Sequence, residues 1–238
     1  MNLDVLAFGV HPDDVELSCA GTLLVEKQNG KKTGIIDLTA GELGTRGTAA
    51  TRKQEAAAAA KILGVDMREN LGMADGFFQN DEAHQLTIIT AIRTYRPAVI
   101  LCNAPGDRHP DHGRSARLVA DAAFLSGLQK IETGDKAAWR PAYVFHYVQD
   151  RMLKPDFVID ISSVFEQKLE AIKAYTTQFN NSETAGPQTY ISTPEFLDSV
   201  VYRHKWFGKM IGVKYAEGFV TEKMIGLRNF DAIIKENT

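Results

Sequence analysis

Short apolar runs alternate with segments of helical periodicity along the first half of this chain. The apolar runs have the length and branched composition of buried strands, and they are Asp4–Val10 (DVLAFGV), Lys31–Leu38 (KKTGIIDL) and Ala98–Cys102 (AVILC). The helical segments are Val15–Asn29 with Gly30 as its stop, a stretch from Thr51 to Gly64, Ala83–Tyr95 and Gly113–Leu125. Gln54 lies three positions after Thr51, a spacing typical of a capping box at a helix start. Strands joined by crossover helices pair in parallel and are covered by helices on both faces.

The second half of the chain continues the alternation in a looser form. Extended segments are expected at Ala142–Val148, Phe157–Ile161 and Val213–Val220, helices at Val164–Gln178 and Pro194–Lys209, and a loop at Asn180–Pro194. No linker or internal repeat interrupts the 238 residues, so we expect one domain over residues 1–238. The predicted fold is a Rossmann-like, three-layer α/β structure with a mostly parallel sheet.

Composition excludes several classes of partner. The 27 basic and 30 acidic residues leave a net charge of −3, without the basic bias of proteins that bind nucleic acid or anionic membranes. No apolar run reaches the roughly 20 residues that cross a bilayer, and the N-terminal segment reads as a strand rather than as a signal peptide. The two cysteines, Cys19 and Cys102, lie in apolar surroundings, as in a reducing compartment. We therefore expect a cytoplasmic protein that binds neither nucleic acid nor a membrane.

Two polar clusters each follow an apolar strand. His11-Pro12-Asp13-Asp14 comes directly after the first strand, and Asp107 to His112 (DRHPDH) comes shortly after AVILC. In an open parallel sheet, the residues just beyond the carboxyl ends of the strands line the ligand crevice. The two clusters are therefore predicted to meet in one pocket.

The residue types in these clusters suit a metal ion. His11 and Asp14 are three positions apart, and His109 and His112 repeat that spacing. Imidazole and carboxylate ligands are typical of Zn²⁺, and three protein ligands leave a position for water. A second aspartate beside a ligand could take the proton of that water.

Other interpretations of the clusters remain open at this stage. Asp13 and Asp14 could cap the following helix, and HPDH could be a solvated turn. Two histidines and one carboxylate also form the facial triad of non-haem iron oxygenases, although Asp13 would then have no use. A non-catalytic sugar- or metal-binding module would need neither Asp13 nor the His109–Asp111 pair. A nicotinamide or flavin is not expected, because the first turn lacks G-x-G-x-x-G.

The chain resembles the LmbE/PIG-L family of zinc-dependent deacetylases that act on N-acetylglucosamine-containing substrates. The resemblance rests on HPDDVE (11–16) and RHPDH (108–112), and it extends through GELGTRG (41–47), TRKQEA (51–56), YRPAVILCN (95–103) and KYAEGF (214–219). Val10 stands where the family usually has Ala, a departure that touches no ligand. The connecting motifs most resemble the branch that deacetylates N-acetylglucosaminyl-malate in bacillithiol biosynthesis.

The resemblance implies a role for each residue of the two clusters. His11, Asp14 and His112 would bind Zn²⁺, although these ligands also accept Fe²⁺, and Asp13 would be the general base. His109, in its protonated form, would stabilise the oxyanion and protonate the leaving amine, with Asp111 orienting it. The family also often forms trimers or hexamers, so a homo-oligomer is expected.

Substrate contacts are expected from four further residues. Arg52, Arg108 or Arg140 could pair with a malate carboxylate, and Glu42 could bind sugar hydroxyls. For Arg52 and Arg140, a surface ion pair is the competing interpretation. Arg46, in the same loop as Glu42, is given no role. The isolated histidines are predicted to be satisfied or surface residues rather than ligands, and they are His84, His146 and His204. Cys102 is predicted to be buried in its strand and not to act as a nucleophile.

Overall fold

The computed structural model describes residues 1–179 and 186–231. Within these residues seven strands form one sheet: β1 Val5–Gly9, β2 Thr33–Thr39, β3 Met67–Met73, β4 Val99–Cys102, β5 Tyr143–Tyr147, β6 Phe157–Asp160 and β7 Ala216–Val220. The helices are α1 Asp14–Ser18, α2 Ala20–Gln28, α3 Ala49–Leu63, α4 Glu82–Tyr95, α5 Pro110–Leu125, α6 Phe165–Lys173 and α7 Pro194–Ile211. A 3₁₀ turn at Tyr190–Ser192 precedes α7. None of the helices in the described part of the chain is both long and apolar enough to span a bilayer.

The sheet is mostly parallel, as the sequence predicts. Its strand order is β3-β2-β1-β4-β5-β7-β6, and β7 runs antiparallel to both of its neighbours. From β1 the chain moves outward through β2 to β3, and then returns to β4 on the other side of β1. The boundary between β1 and β4 is therefore a topological switch point, where the carboxyl ends of the strands open a crevice.

Alternate residues of the central strands support two separate cores. Val5 and Ala7 of β1 face a core shared with α1, α2, α3 and α6. Leu6 and Phe8 face the other core, which α4 and α5 cover. Because successive side chains point to opposite faces, helices cover both faces of the sheet and give the predicted three layers. The loops that carry the two polar clusters follow the carboxyl ends of β1 and β4.

Several boundaries differ from the sequence prediction because tertiary contacts decide them. The predicted Val15–Asn29 helix is two helices that meet at Cys19, since the carboxylate of Glu217 accepts hydrogen bonds from the N–H groups of Gly21 and Thr22 at the start of α2. The cap of α3 is Thr48, which pairs reciprocally with Thr51, so Thr51 and Gln54 do not form the cap.

Further differences concern β3, two helix ends, one loop and β7, which begins at Ala216 rather than Val213. Strand β3 (MRENLGM) is absent from the prediction because it is a partly exposed edge strand without an apolar run. Helix α5 begins at Pro110 rather than Gly113, and α6 ends at Lys173 rather than Gln178. Of the predicted loop Asn180–Pro194, residues 180–185 lie outside the described residues.

Candidate active site and metal centre

The two polar clusters meet in one cavity at the switch point between β1 and β4. The cavity has a volume of about 300 Å³. From the first cluster, His11, Asp13 and Asp14 line it, and from the second, Arg108, His109 and His112. The two clusters are distant along the chain but close in space, because β1 and β4 are parallel neighbours, with Val5 paired to Val99.

Three of these side chains point donor atoms at a common space. The ligand atoms of His11, Asp14 and His112 all lie within 4.8 Å of one another. His112 Nε2 is 3.3 Å from Asp14 Oδ1, and His11 Nδ1 is 3.6 Å from Asp14 Oδ2. Two imidazole nitrogens and one carboxylate are the donor set of a catalytic zinc site.

A second layer of side chains fixes these donors. Asp107 Oδ2 is 2.6 Å from His112 Nδ1, which leaves Nε2 of that ring for a metal ion. Asp75 Oδ1 is 3.0 Å from His11 Nε2 in the same way. Asp14 accepts hydrogen bonds from the side-chain amides of Asn103 and Gln149. Such outer contacts orient the ligands of metal sites and raise their basicity.

The electrostatics of the cluster favour a cation. Burial lowers the pKa of His11, but Asp14 and Asp75 together raise it to about 9. Burial likewise lowers the pKa of His112, whereas the charge of Asp14 and the hydrogen bond with Asp107 raise it to about 10. Burial would raise the pKa of Asp14, yet the two histidines hold it well below its ordinary range. The carboxylates therefore attract positive charge to the imidazoles, and the residues present fit a divalent metal ion.

Asp13 lies beside this centre in a strained turn. Its φ of 129° is in a region that residues other than glycine rarely adopt, and such strain concentrates at active sites. Arg52 Nη2 donates to Asp13 Oδ2 at 2.7 Å and to Pro12 O at 2.5 Å, which holds both the carboxylate and the turn. Gly41 allows this approach, because a Cβ there would clash with the Arg52 guanidinium. Burial raises the pKa of Asp13 to about 7, against the lowering effect of Arg52.

His109 is the N-cap of α5, and its ring centroid lies 4.8 Å from that of His11 and 5.5 Å from that of His112. Its Nδ1 accepts a hydrogen bond of 3.3 Å from the backbone N–H of Asp111. The carboxylate of Asp111 instead accepts from Gly76 N at 2.8 Å and from Arg114 at 2.7 Å. The hydrogen bond between Asp111 and the ring thus comes from the main-chain N–H of Asp111. Burial and the nearby charges of His11 and His112 lower the pKa of His109, which opposes the protonated form that the family resemblance implies.

The four predicted substrate residues occupy different environments. Arg108 lines the cavity, where its Nε is 3.2 Å from Asp150 Oδ2 and its guanidinium lies over the ring of Tyr190. Arg52 also lines the cavity, but it is paired with Asp13. Glu42 accepts a hydrogen bond from Asp75 N and is not among the lining residues.

Arg140 requires a correction. It is absent from the cavity lining, and its guanidinium donates to Phe124 O at 2.7 Å while lying over the Phe124 ring. The WRPAY segment runs beside the C-terminal end of α5, and the cavity opens at the N-terminal end of that helix. A substrate carboxylate in the cavity would therefore not meet Arg140.

The isolated histidines have structural partners. His84 contacts Asp81, His146 contacts the carbonyl of Asn103, and His204 contacts the carbonyl of Val200. Several cavity residues were given no role from the sequence, namely Asp75, Gln149, Asp150, Tyr190 and Arg203. Asp75 follows β3, a strand that the sequence analysis missed because its residues are mostly polar. Had β3 been predicted, Asp75 would have been a candidate, because it comes just after the carboxyl end of that strand. The others lie far along the chain from both clusters.

Comparison with known proteins places the sequence beside deacetylases. The family described as "PIG-L: GlcNAc-PI de-N-acetylase" matches residues 6–123. A diacetylchitobiose deacetylase of Thermococcus kodakarensis is 29% identical over 229 residues, covering 90% of this chain and 81% of that protein. A probable N-acetyl-alpha-D-glucosaminyl L-malate deacetylase 2 of Bacillus anthracis is 26% identical, covering 78% of this chain and 86% of that protein.

Two further matches extend the comparison. The crystal structure of a conserved protein from Thermus thermophilus is 36% identical, with a TM-score of 0.85, covering 95% of this chain and 98% of that one. A 4-oxalmesaconate hydratase of Pseudomonas putida is 25% identical, and the match covers 73% of each protein. A hydratase therefore stands among relatives that are otherwise mainly deacetylases.

Proposed function

Since the chain belongs to the PIG-L (LmbE) family, we propose that it is a metal-dependent hydrolase that removes the acetyl group from an N-acetylglucosamine conjugate. The observation that carries this proposal is the arrangement around Asp13. Three metal-type donors converge beside a second, buried carboxylate that is not one of them. A non-catalytic metal- or sugar-binding module has no use for that carboxylate, whereas amide hydrolysis needs a base beside the water it activates.

We assign the metal to His11, Asp14 and His112, with Zn²⁺ as the expected ion and Fe²⁺ as the alternative. Bound to such a set, the ion lowers the pKa of its water to about 7 and polarises a carbonyl oxygen. The protein's own contribution is to present one nitrogen of each imidazole to that space, because Asp75 and Asp107 occupy the other nitrogens.

Asp13 and His109 divide the proton transfers in this proposal. Asp13, held by Arg52, takes the proton of the water whose oxygen adds to the acetyl carbon. The ring of His109 donates a hydrogen bond to the oxyanion that forms, and the proton that Asp13 took from water then passes through this ring to the nitrogen as the C–N bond breaks. The products are acetate and the free amine. Asp111 fixes the ring through its backbone N–H and carries negative charge close to it.

The finer assignment is a substrate whose sugar carries malate, as in bacillithiol biosynthesis. It is supported by the match to the Bacillus protein and by the connecting motifs around GELGTRG and KYAEGF. Arg108 is the first candidate for the malate carboxylate, because it lines the cavity and its charge is only partly balanced by Asp150. We also propose that the protein is cytoplasmic and forms a homo-oligomer, a trimer or a hexamer.

The test is an acetate-release assay with N-acetylglucosamine, diacetylchitobiose and N-acetylglucosaminyl-malate. The metal is first removed with a chelator and then restored as Zn²⁺, or as Fe²⁺ without oxygen. We expect turnover to disappear with the chelator and to return with metal. Oxygen-dependent turnover without acetate, or hydration of 4-oxalmesaconate in place of deacetylation, would contradict the proposal.

A further inference from the structure

One buried arginine in the cavity lacks the partners that the other buried arginines have. Arg203, on α7, is 7% exposed. Its Nη2 donates to Leu17 O at 3.1 Å, while its Nε is buried and has no hydrogen-bond partner in the part of the chain that the structure describes. In residues 1–179 and 186–231, no carboxylate forms an ion pair with it. By contrast, Arg68 pairs with both Glu16 and Asp37, and Arg93 donates to three carbonyls and a hydroxyl.

An unbalanced charge in such a position is costly for the fold. Removing a guanidinium from water costs several kcal/mol unless an opposite charge and further hydrogen bonds compensate. Burial lowers the pKa of Arg203 to about 10, so the group still carries its charge at neutral pH. A sugar hydroxyl would satisfy the hydrogen bonds but not the charge, which only an anion can balance.

The position of Arg203 shows where that anion can come from. The residue lines the catalytic cavity, and it also lines an adjoining groove against α7 that shares Asp150 and Tyr190 with the cavity. Lys205 and Lys209 extend the positive charge along this groove. Asp150, Asp107 and Glu217 are the acids whose charges act on Arg203. Each is already engaged elsewhere: Asp150 by Arg108 and the hydroxyl of Tyr190, Asp107 by His112, and Glu217 by Lys168. This side of the cavity is therefore positively charged, whereas the metal side is rich in carboxylates.

From this juxtaposition we infer that Arg203, together with Arg108, binds an anionic group on the aglycone of the substrate. The inference rests on the proposed deacetylase function and narrows it to conjugates that carry a carboxylate or a phosphate. The sugar's acetamido group would then lie toward Asp13 and the metal ligands, with the anion toward α7. The geometry fits either a carboxylate, such as that of malate, or a phosphate, because both present a pair of oxygens that a guanidinium can bind with two hydrogen bonds.

The experiment compares Arg203→Gln with the wild type on four substrates. N-acetylglucosaminyl-malate and N-acetylglucosamine 1-phosphate carry anions, while methyl N-acetylglucosaminide and diacetylchitobiose are neutral. We expect kcat/KM for an anionic conjugate to fall about 10- to 100-fold, mainly through KM. The neutral conjugates should lose far less, and the anionic arm with the larger loss identifies carboxylate or phosphate as the ligand. Equal losses on neutral and anionic substrates would overturn the inference.

Two control variants distinguish a loss of anion binding from misfolding. A binding measurement then distinguishes a failure of this inference from a failure of the proposed function. Arg140→Gln removes the same charge from a position outside the cavity and should leave all four rates unchanged. Arg203→Lys keeps the charge and should recover part of the anionic preference even if Arg203→Gln folds poorly. If the wild type releases no acetate from any substrate, the proposed function fails. Calorimetric titration with malate and with inorganic phosphate then still tests Arg203, whose role is refuted if neither anion binds or if Arg203→Gln binds them equally well.

Discussion

Two groups of buried ions in this protein have opposite characters. The first is the cavity cluster of His11, Asp13, Asp14 and His112. The second is the pair of Lys168 and Glu217, both fully buried, with Lys168 Nζ 2.6 Å from Glu217 Oε1. In the pair, the remaining carboxylate capacity is used by two backbone N–H groups and the hydroxyl of Thr22 at the start of α2. In the cavity cluster, several donor atoms face the cavity instead.

The comparison shows that burial and a shifted pKa do not by themselves mark a functional site. Burial lowers the pKa of Lys168, with Glu217 opposing it, much as burial and neighbouring charges shift the groups of the cavity. Lys168 nevertheless is not among the described residues that line the catalytic cavity or the adjoining groove. What distinguishes the cavity cluster is access together with unused ligand capacity. Glu217, within the KYAEGF motif, therefore supports the fold, whereas His11, Asp13 and Asp14 of the HPDDVE motif line the cavity in which we propose that the chemistry takes place.

The largest expected effect comes from Asp13→Asn. Asparagine fills the same volume but cannot accept the proton, so kcat for acetate release should fall about 10²- to 10⁴-fold. Because Asp13 is outside the proposed ligand set, the bound metal per protein, measured by atomic emission, should stay at the wild-type level. A near-normal rate would show that Asp13 is not the base, and a loss of metal would place it among the ligands.

At the buried pair of Lys168 and Glu217 we expect a loss of stability without a loss of activity. Lys168→Met leaves Glu217 buried without a cation and should cost about 3–5 kcal/mol of unfolding free energy. At this chain length Tm falls by about 2–4 °C for each kcal/mol. Calorimetry first defines the fraction of the variant that is folded at low temperature. The kcat of this folded fraction should then equal that of the wild type.

A double variant sharpens this test. Lys168→Met with Glu217→Gln removes both charges and keeps one side-chain oxygen, which can accept from the N–H of either Gly21 or Thr22. It should recover much of the lost stability, because the penalty comes from the uncompensated charge. A double variant that is no more stable than Lys168→Met alone would show that packing, not charge, dominates there.

A smaller effect is expected from the second layer of the metal centre. Asp107→Asn weakens the contact that orients His112, and such changes typically reduce metal affinity about 10- to 100-fold. Competition with a fluorescent zinc chelator measures this affinity. Asp66→Asn is the matched control, since Asp66 pairs with Lys27 on the surface, and its metal affinity should equal that of the wild type. Indistinguishable affinities for the two variants would remove Asp107 from the metal centre.

The smallest effect is expected at Arg140. Arg140→Gln removes contacts with Phe124 at the end of α5, outside both buried groups. Its kcat/KM for N-acetylglucosaminyl-malate should stay within about twofold of the wild type, and Tm within roughly 1–2 °C, as for most surface substitutions. A steep rise in KM would restore Arg140 as a substrate residue and contradict the structure.

Local sequence determined the frame of the protein. The apolar runs of β1, β2 and β4 and the helical periodicity between them suffice to predict a parallel sheet, because each pattern reflects burial within a few residues. The same frame predicts that His11 and His112 approach one another, since parallel neighbours end at one edge. Cys19 and Glu217 show where this logic stops, because the break between α1 and α2 depends on a carboxylate from the last strand.

Tertiary structure alone decided which partners each charged side chain has. Arg52, Arg140 and Arg203 carry the same side chain, yet Arg52 holds Asp13, Arg140 lies outside the cavity, and Arg203 is buried in the cavity without an ion pair to any carboxylate of the described residues. Asp75 reaches His11 from the end of an edge strand whose residues carry no apolar signal. The physical reason is that hydrophobic periodicity shows only which residues of a segment face the core. The neighbours of a charge come from strand order and loop path, which bring together residues distant along the chain.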